Sequence, residues 1–253
     1  MDLPAVESLL ASTAAAVADA LAATADWGLA GTRPGQYLSD LAADEAALAV
    51  LDGAGVGVLS EESGLRRADA PVLVIIDPVD GSTNAARGVP WFAVSLCAVD
   101  AEGPLASLVV NLATGERFDA VRGGGARRNG APIRPSSTTE AGAAIVGISG
   151  YPNQSLGWRQ FRALGAAALD LCAVACGRLD AYVDCSVDAH GVWDYAGGLL
   201  VCREAGATVS DALDRDLVVR DPAARRTPVA ASTLALHDQL RAARRVSFAV
   251  GTT

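Results

Sequence analysis

The sequence is poor in several things at once, and each shortage narrows what the protein can be. Aromatic residues make up only 5% of its 253 residues. With 51% hydrophobic content, a sizeable core is still available, but it must come mostly from alanine, valine and leucine. Positive charge is outnumbered: the formal net charge is −9. That argues against nucleic acid or an anionic membrane surface as the main partner and fits a site that gathers cations. No apolar run reaches the length of a transmembrane helix. The start, Met1-Asp2-Leu3-Pro4-Ala5-Val6-Glu7, lacks the basic region of a signal peptide. The five cysteines (Cys97, Cys172, Cys176, Cys185, Cys202) are an odd number without C-x-x-C spacing, and only His190 and His237 stand beside them. A zinc site is therefore not expected, and reduced thiols in a cytoplasmic setting are the simplest reading. Internal repeats and low-complexity linkers are absent as well.

What is present is organised around Val72 to Asn84, V-L-V-I-I-D-P-V-D-G-S-T-N. Val72 to Ile76 is an apolar β-branched run suited to a strand buried on both faces. Pro78 is expected to stop the ladder, and Gly81 permits a turn that a side chain would block. Asp77 and Asp80 thus stand at a strand end. Gly81 to Ala86 can open a helix whose first N–H groups face an anion, with Ser82 and Thr83 as capping residues. Acids for a hard cation next to donors for an anion suggest a metal-assisted phosphate site. Taken alone, the same residues also describe a solvated D-P-x-D-G turn.

In chain order, a helix opens at Leu3-Pro4 with Val6, Leu9, Leu10, Val17 and Leu21 near one face. A second helix begins at Ser39 or Asp40 and runs to Leu51, with Leu41, Leu48 and Leu51 as its apolar stripe. Asp44 on this helix reads locally as a solvated charge. Val56 to Leu59 is a short strand ending in Ser60-Glu61-Glu62-Ser63-Gly64, where adjacent carboxylates are costly unless solvated or bound to a cation. Trp91–Val99, Leu105–Leu112 and Glu116–Val121 alternate like antiparallel strands. The triplet Gly123-Gly124-Gly125 reads as a plain turn. From about Ala141 strands and helices alternate: a strand over 144–149, helices over 158–164 and 166–176, a strand over 179–184 and a helix over 192–205 ending at Gly206. Short strands follow at 208–209, 217–219 and 229–231, and a last helix over 233–244. Pro152 to Gly157 is the candidate mobile connection. Asp194 sits in the first turn of the 192–205 helix, where the dipole favours a carboxylate. Gly197 and Gly198 one turn later cost helix stability, about 1 kcal/mol each, and imply a close approach to the backbone.

Three stretches together resemble the inositol monophosphatase family: Glu61-Glu62-Ser63-Gly64, Asp77-Pro78-Val79-Asp80-Gly81-Ser82-Thr83-Asn84, and Trp193-Asp194-Tyr195-Ala196-Gly197-Gly198. Weaker echoes are Pro90 to Leu96, Gly123 to Gly130, Gly165 to Tyr182, and Glu204-Ala205-Gly206. The resemblance implies a layered α-β-α-β-α sandwich of α/β class, one domain over residues 1–253 with parts at about 1–140 and 141–253, usually a homodimer. It implies a magnesium-dependent phosphomonoesterase. Glu61, Asp77 and the Val79 carbonyl would hold one Mg²⁺ and Asp77, Asp80 and Asp194 a second, with a third, weaker ion leaning on Glu61. Glu61 and Ser82 would orient and deprotonate the attacking water, with Asp44 supporting Ser82. Gly81, Ser82 and Thr83 would bind the phosphate, and Asp80 and Asp194 would border the substrate.

The chain departs from the family pattern at several points. Ser82 stands where threonine is usual, and Leu41-Ala42-Ala43-Asp44 where Thr-Glu-x-Asp is usual. Tyr37-Leu38-Ser39-Asp40 offers no counterpart of the family's upstream lysine. Ala166 replaces a frequent serine, and Val187-Asp188 stand where a glutamate is common, both on the side of the sugar ring. The resemblance therefore implies hydrolysis of a small phosphomonoester, inositol monophosphate first. Histidinol phosphate, fructose 1,6-bisphosphate and 3′-phosphoadenosine 5′-phosphate are the enzyme alternatives, and a non-catalytic metal- or phosphate-binding regulator is the non-enzyme one. Neither nucleic acid nor membrane is expected as a partner.

Overall fold

In a computed structural model, which describes residues 1–250 with side chains through 247, Asp2 caps the first helix: its Oδ1 accepts a hydrogen bond from Ala5 N at 3.0 Å. Pro4 follows in the first turn, where a missing N–H costs nothing. This helix, α1 (Leu3–Ala23), buries Val6, Leu10, Val17 and Leu21. By length and composition it is apolar enough to cross a membrane, which the reading for runs of transmembrane length did not foresee; here that apolar stripe packs inward. The second helix, α2 (Leu38–Ala54), buries Ala43, Ala47 and Leu51. Leu41 is exposed instead of joining the stripe, because the small alanines let α2 close onto α1.

Both helices cover one face of an eight-stranded sheet. Its strands are β1 (Gly57–Ser60), β2 (Gly64–Arg66), β3 (Leu73–Asp80), β4 (Ala93–Asp100), β5 (Gly103–Asn111), β6 (Arg117–Val121), β7 (Gly125–Arg128) and β8 (Ala131–Pro132), in the order β2-β1-β3-β4-β5-β6-β7-β8. Strand β3 runs parallel to β1 and antiparallel to β4, and all eight of its residues are buried. Pro78 does not end it. The ladder to β4 instead shifts register between Asp77 and Asp80, a bulge that tolerates the missing N–H and re-aims the side chains around it. A five-residue helix, α3 (Ser82–Ala86), follows directly.

The second sheet has five strands, β9 (Ile145–Ser149), β10 (Gln160–Arg162), β11 (Ala181–Asp184), β12 (Thr208–Asp211) and β13 (Pro228–Ala231), in the order β10-β9-β11-β13-β12. Helices α4 (Ala167–Ala175) and α5 (Val192–Ala205) lie between the two sheets, and α6 (Leu234–Val250) covers the outer face of the second. The layers are therefore α-β-α-β-α, as the sequence resemblance implied.

Three local expectations fail. Residues 158–164 are not helical: Gly157 and Gly165, both at φ +86°, bracket the stretch, and Gln160–Arg162 pairs as an edge strand with β9. Residues 217–219 are not a strand; Leu217 instead offers its carbonyl to the buried Tyr195 hydroxyl at 2.7 Å. The last helix does not stop at Arg244 but continues to Val250, and Arg241 and Arg245 on it pair with Asp214. Residues 251–253 of the expected domain lie outside the described residues. The close approach implied by Gly198 is present: a Cβ there would stand 2.6 Å from Leu171 Cβ and 2.9 Å from the Ala168 carbonyl, both on α4. All five cysteines are free thiols. Cys97, in the middle of β4, has its pKa pushed up to about 12 by burial.

Candidate active site

Three elements bring the acids together. Glu61 follows β1, its N–H bonded to the Ile76 carbonyl at 3.2 Å, so the parallel β1–β3 pairing sets it beside Asp77. Asp194 enters from the first turn of α5. One carboxylate oxygen each of Glu61, Asp77 and Asp194 lies within 4.8 Å of the other two. Burial, then Asp194 and Glu62, push Glu61 up to about 8, although it keeps 34% of its side-chain surface and solvent tempers the effect. Burial, then Glu61, Asp80 and Asp194, hold Asp77 well above the usual carboxylate range. Acids this close repel one another, and every ligand atom in the set is a hard oxygen. The set fits a hard divalent cation that keeps part of its water shell.

Asp80 stands beside this trio. Its Oδ1 accepts from Ala167 N at 3.2 Å and its Oδ2 from Ala168 N at 2.7 Å, both at the start of α4. Val79 is buried, and its N–H donates to Asp77 Oδ1 at 3.0 Å. Gly81 has φ +87°, and a Cβ there would lie 3.0 Å from the Gly165 carbonyl and 3.1 Å from Ala166 Cβ. Only glycine fits that corner, which turns the chain from β3 into α3. Ser82 and Thr83 begin α3, where N–H groups have no partner within the helix. The Tyr37 hydroxyl donates to Thr83 Oγ1 at 3.3 Å.

The pairing of Asp44 with Ser82 is corrected. Asp44 accepts from Ser60 Oγ at 2.5 Å and Ser63 Oγ at 3.4 Å, bracing the Glu61–Glu62 turn. Asp40, one turn earlier on α2, is the acid beside Ser82. Burial pushes Asp40 up to about 6, and the Ser82 hydroxyl is among the groups favouring its charged form. Its Oδ2 accepts from Tyr37 N at 2.9 Å, while its buried Oδ1 has no hydrogen-bond partner. The spacing explains the confusion, because residues 40 and 44 share one helix face.

Other groups had no motif to announce them. Arg33, on the loop before α2, reaches Glu62 Oε1 at 2.7 Å, Glu61 Oε1 at 3.6 Å and the Glu61 carbonyl at 3.0 Å. The chain contains no lysine, so a cation at this place has to be arginine. Asn84 donates to the carbonyls of Trp91 and Leu164, both at 2.7 Å, tying α3 to the turn before α4. His190 Nδ1 lies 3.1 Å from Asp194 Oδ2, and its Nε2 lies 3.2 Å from the Tyr182 hydroxyl. Burial works against charge on His190, but Asp194, with Asp184 and Asp80 behind it, lifts its pKa to about 9. The four-residue step from His190 to Asp194 was the available sequence signal.

Beside Asp80 and Asp194 opens a pocket of about 110 Å³, whose wall includes Ser149, Ala166, Asp170, Tyr182 and His190. Asp170, pushed up to about 8 by burial, accepts from Trp91 Nε1 at 2.9 Å. Ala166 is on this wall; Val187 is 70% exposed, and the buried carboxylate at the end of β11 is Asp184.

The profile of the inositol monophosphatase family matches residues 40–247. The chain is 37% identical over 199 residues to inositol-1-monophosphatase of Mesorhizobium japonicum, covering 70% of this chain and 73% of that protein. It is 32% identical over 196 residues to fructose-1,6-bisphosphatase of Pyrococcus furiosus, with 77% of each covered. It is 36% identical over 171 residues to Nus factor SuhB of Pasteurella multocida, a match that spans 62% of that protein. Inositol monophosphatase from Anabaena (Nostoc) sp. PCC 7120 superposes with a TM-score of 0.81 at 26% identity, covering 97% of both chains. The chain belongs to the inositol monophosphatase family and is a phosphoric monoester hydrolase.

Proposed function

We propose that the protein hydrolyses a small phosphomonoester with magnesium, and that inositol monophosphate is its substrate. The observation that carries this reading is the convergence of the Glu61, Asp77 and Asp194 carboxylates beside the helix start at Gly81–Thr83. Magnesium, held by Glu61, Asp77, the Val79 carbonyl, Asp80 and Asp194, would supply the positive charge that polarises the phosphate and acidifies the attacking water. The N–H groups of Gly81, Ser82 and Thr83 cradle the phosphate oxygens, as a helix start favours an anion. Glu61 and Ser82 orient the water for in-line attack, and Glu61 takes its proton. Asp40, whose buried Oδ1 has no partner, is the acid placed to take the Ser82 hydroxyl when the site is loaded. Asp80, fixed by the α4 amides, borders both phosphate and alcohol. The leaving alcohol enters the pocket lined by Ser149, Tyr182 and His190, whose mixed donors and acceptors suit a polyol. At about 110 Å³ that pocket favours a small alcohol over a nucleoside.

Fructose 1,6-bisphosphate is the second reading, favoured by the match that covers 77% of the P. furiosus bisphosphatase. Phosphate release from a panel of small phosphomonoesters, with Mg²⁺ and with chelator, tests both. Chelator-sensitive turnover highest on inositol monophosphate supports the first reading, and highest on the bisphosphate supports the second. Turnover that survives chelator, or survives Asp77→Asn, overturns the assignment of the acids.

A further inference from the structure

A groove of about 560 Å³ opens at the opposite end of α5 from Asp194, walled by β7, the residues around β8 and the end of α5. Arg203 stands nine positions after Asp194 along α5, about 14 Å at the helical rise, so this groove is separate from the catalytic pocket. Arg127, Arg134 and Arg203 line it. Among the described residues, none of these three makes an ion pair or side-chain hydrogen bond. Neighbouring arginines behave differently: Arg128 and Arg178 pair with Glu116, and Arg122 with Asp100 and Glu102.

Arg203 is the telling member. Like Arg127 and Arg134 it is exposed to solvent; partial burial lowers its pKa from the usual arginine range, and the groups that oppose this are the Cys97 and Cys202 thiols, with no carboxylate among them. The acid on the wall, Glu204, is already engaged, accepting from Gly123 N at 2.9 Å and Gly125 N at 3.0 Å. Those two bonds fix the glycine turn between β6 and β7 and so pre-form the wall. Pro132, Ile133 and Pro135 add an apolar surface. In a chain of net charge −9, guanidinium groups without ion-pair partners gathered in one concavity make a place where an anion is attracted and not repelled. The planar fork of arginine matches phosphate oxygens, and several such forks match a group with more than one negative charge.

We propose that this groove is a second, non-catalytic site that binds a small molecule bearing a diphosphate or longer phosphate group. Its test is calorimetric titration of pyrophosphate into the full chain in excess EDTA, at low salt. The expected result is saturable one-site binding that weakens with added salt. Arg203→Gln or Arg127→Gln should weaken it about tenfold, the scale of one charge-assisted contact. Asp194→Asn should leave it unchanged. The arginine variants should keep the basal Mg²⁺-supported turnover of the parent, which shows that they fold. No saturable heat with pyrophosphate overturns the proposal. So does binding that persists in the arginine variants and disappears in Asp194→Asn, because the anion then sits in the catalytic pocket. A single-stranded RNA that binds through these arginines where pyrophosphate does not would overturn the small-molecule class.

Discussion

The Arg33 guanidinium stands 2.7 Å from the Glu62 carboxylate and 3.6 Å from that of Glu61, so a cation of the protein already touches the acidic cluster. It offsets part of the negative charge that a metal ion would otherwise meet. Arg33→Ala should therefore bind Mg²⁺ more tightly in the absence of substrate, by about fivefold for roughly 1 kcal/mol of exposed Coulomb energy. Calorimetric titration of Mg²⁺ into the two proteins measures this. Equal or weaker affinity in the variant would show that Arg33 does not share the field of the site.

Asp40 and Asp44 divide the work that one acid was expected to do. Asp40→Asn and Ser82→Ala should each lower kcat about 100-fold with little change in melting temperature, the scale of a lost proton-handling group. Asp44→Asn acts on the Ser60–Ser63 turn and should show itself first in the melting temperature. Steady-state kinetics and thermal melts of the three variants separate the roles. A larger loss of kcat in Asp44→Asn than in Asp40→Asn would reverse the assignment.

Gly198 allows α5 to lie against α4 at a distance no side chain permits. Gly198→Ala should raise helix propensity yet destabilise the protein by about 1–3 kcal/mol through overpacking against Leu171. Urea denaturation gives the sign directly: a more stable variant would mean that the two helices can separate at no cost.

Asp211 is fully buried and accepts from Arg215 Nε at 2.8 Å, Thr227 N at 2.7 Å and Leu213 N at 3.0 Å. Burial alone would raise its pKa, but Arg215 and the Thr227 amide hold it below the usual carboxylate range. A carboxylate with a lowered folded-state pKa contributes its full stability above its unfolded value, about 3.9, and loses it as pH falls through the folded value. Asp211→Asn should cost about 3 kcal/mol at pH 7, since it leaves part of a buried network unpaired. The gap between variant and parent should narrow at pH 3, as the parent carboxylate begins to protonate. Chemical denaturation at the two pH values measures both; a gap that widens in acid would contradict the pairing.

Much of this arrangement was legible because strand-end acids and glycine turns are local features. Val72 to Ile76 announced a buried strand through its branching, and Asp77, Asp80 and Gly81 announced its end. The bulge at Pro78 was not legible, because only the partner strand β4 decides whether a proline ends a ladder or interrupts it. The edge strand at Gln160–Arg162 was missed for a similar reason: its pairing with β9 outweighs a helical pattern of Trp158, Phe161 and Leu164. Arg33 and His190 carry no motif. Each matters through a contact made after folding, Arg33 across 29 residues to Glu62 and His190 through the turn that brings it back onto Asp194. Asp40 could have been found by allowing the acid to sit one helical turn earlier on the same face.

Cys97 lies at the centre of β4, between Ile75 on one neighbouring strand and Ser107 on the other, with burial suppressing its thiolate. A thiol reagent can reach it only when the first sheet comes apart. Cys176 is partly accessible and needs no such event. The chain thus carries two internal clocks, one that reacts in the native state and one that counts complete openings of the molecule. Mass-resolved labelling over time would read the unfolding rate of the unaltered protein without denaturant and without an added probe.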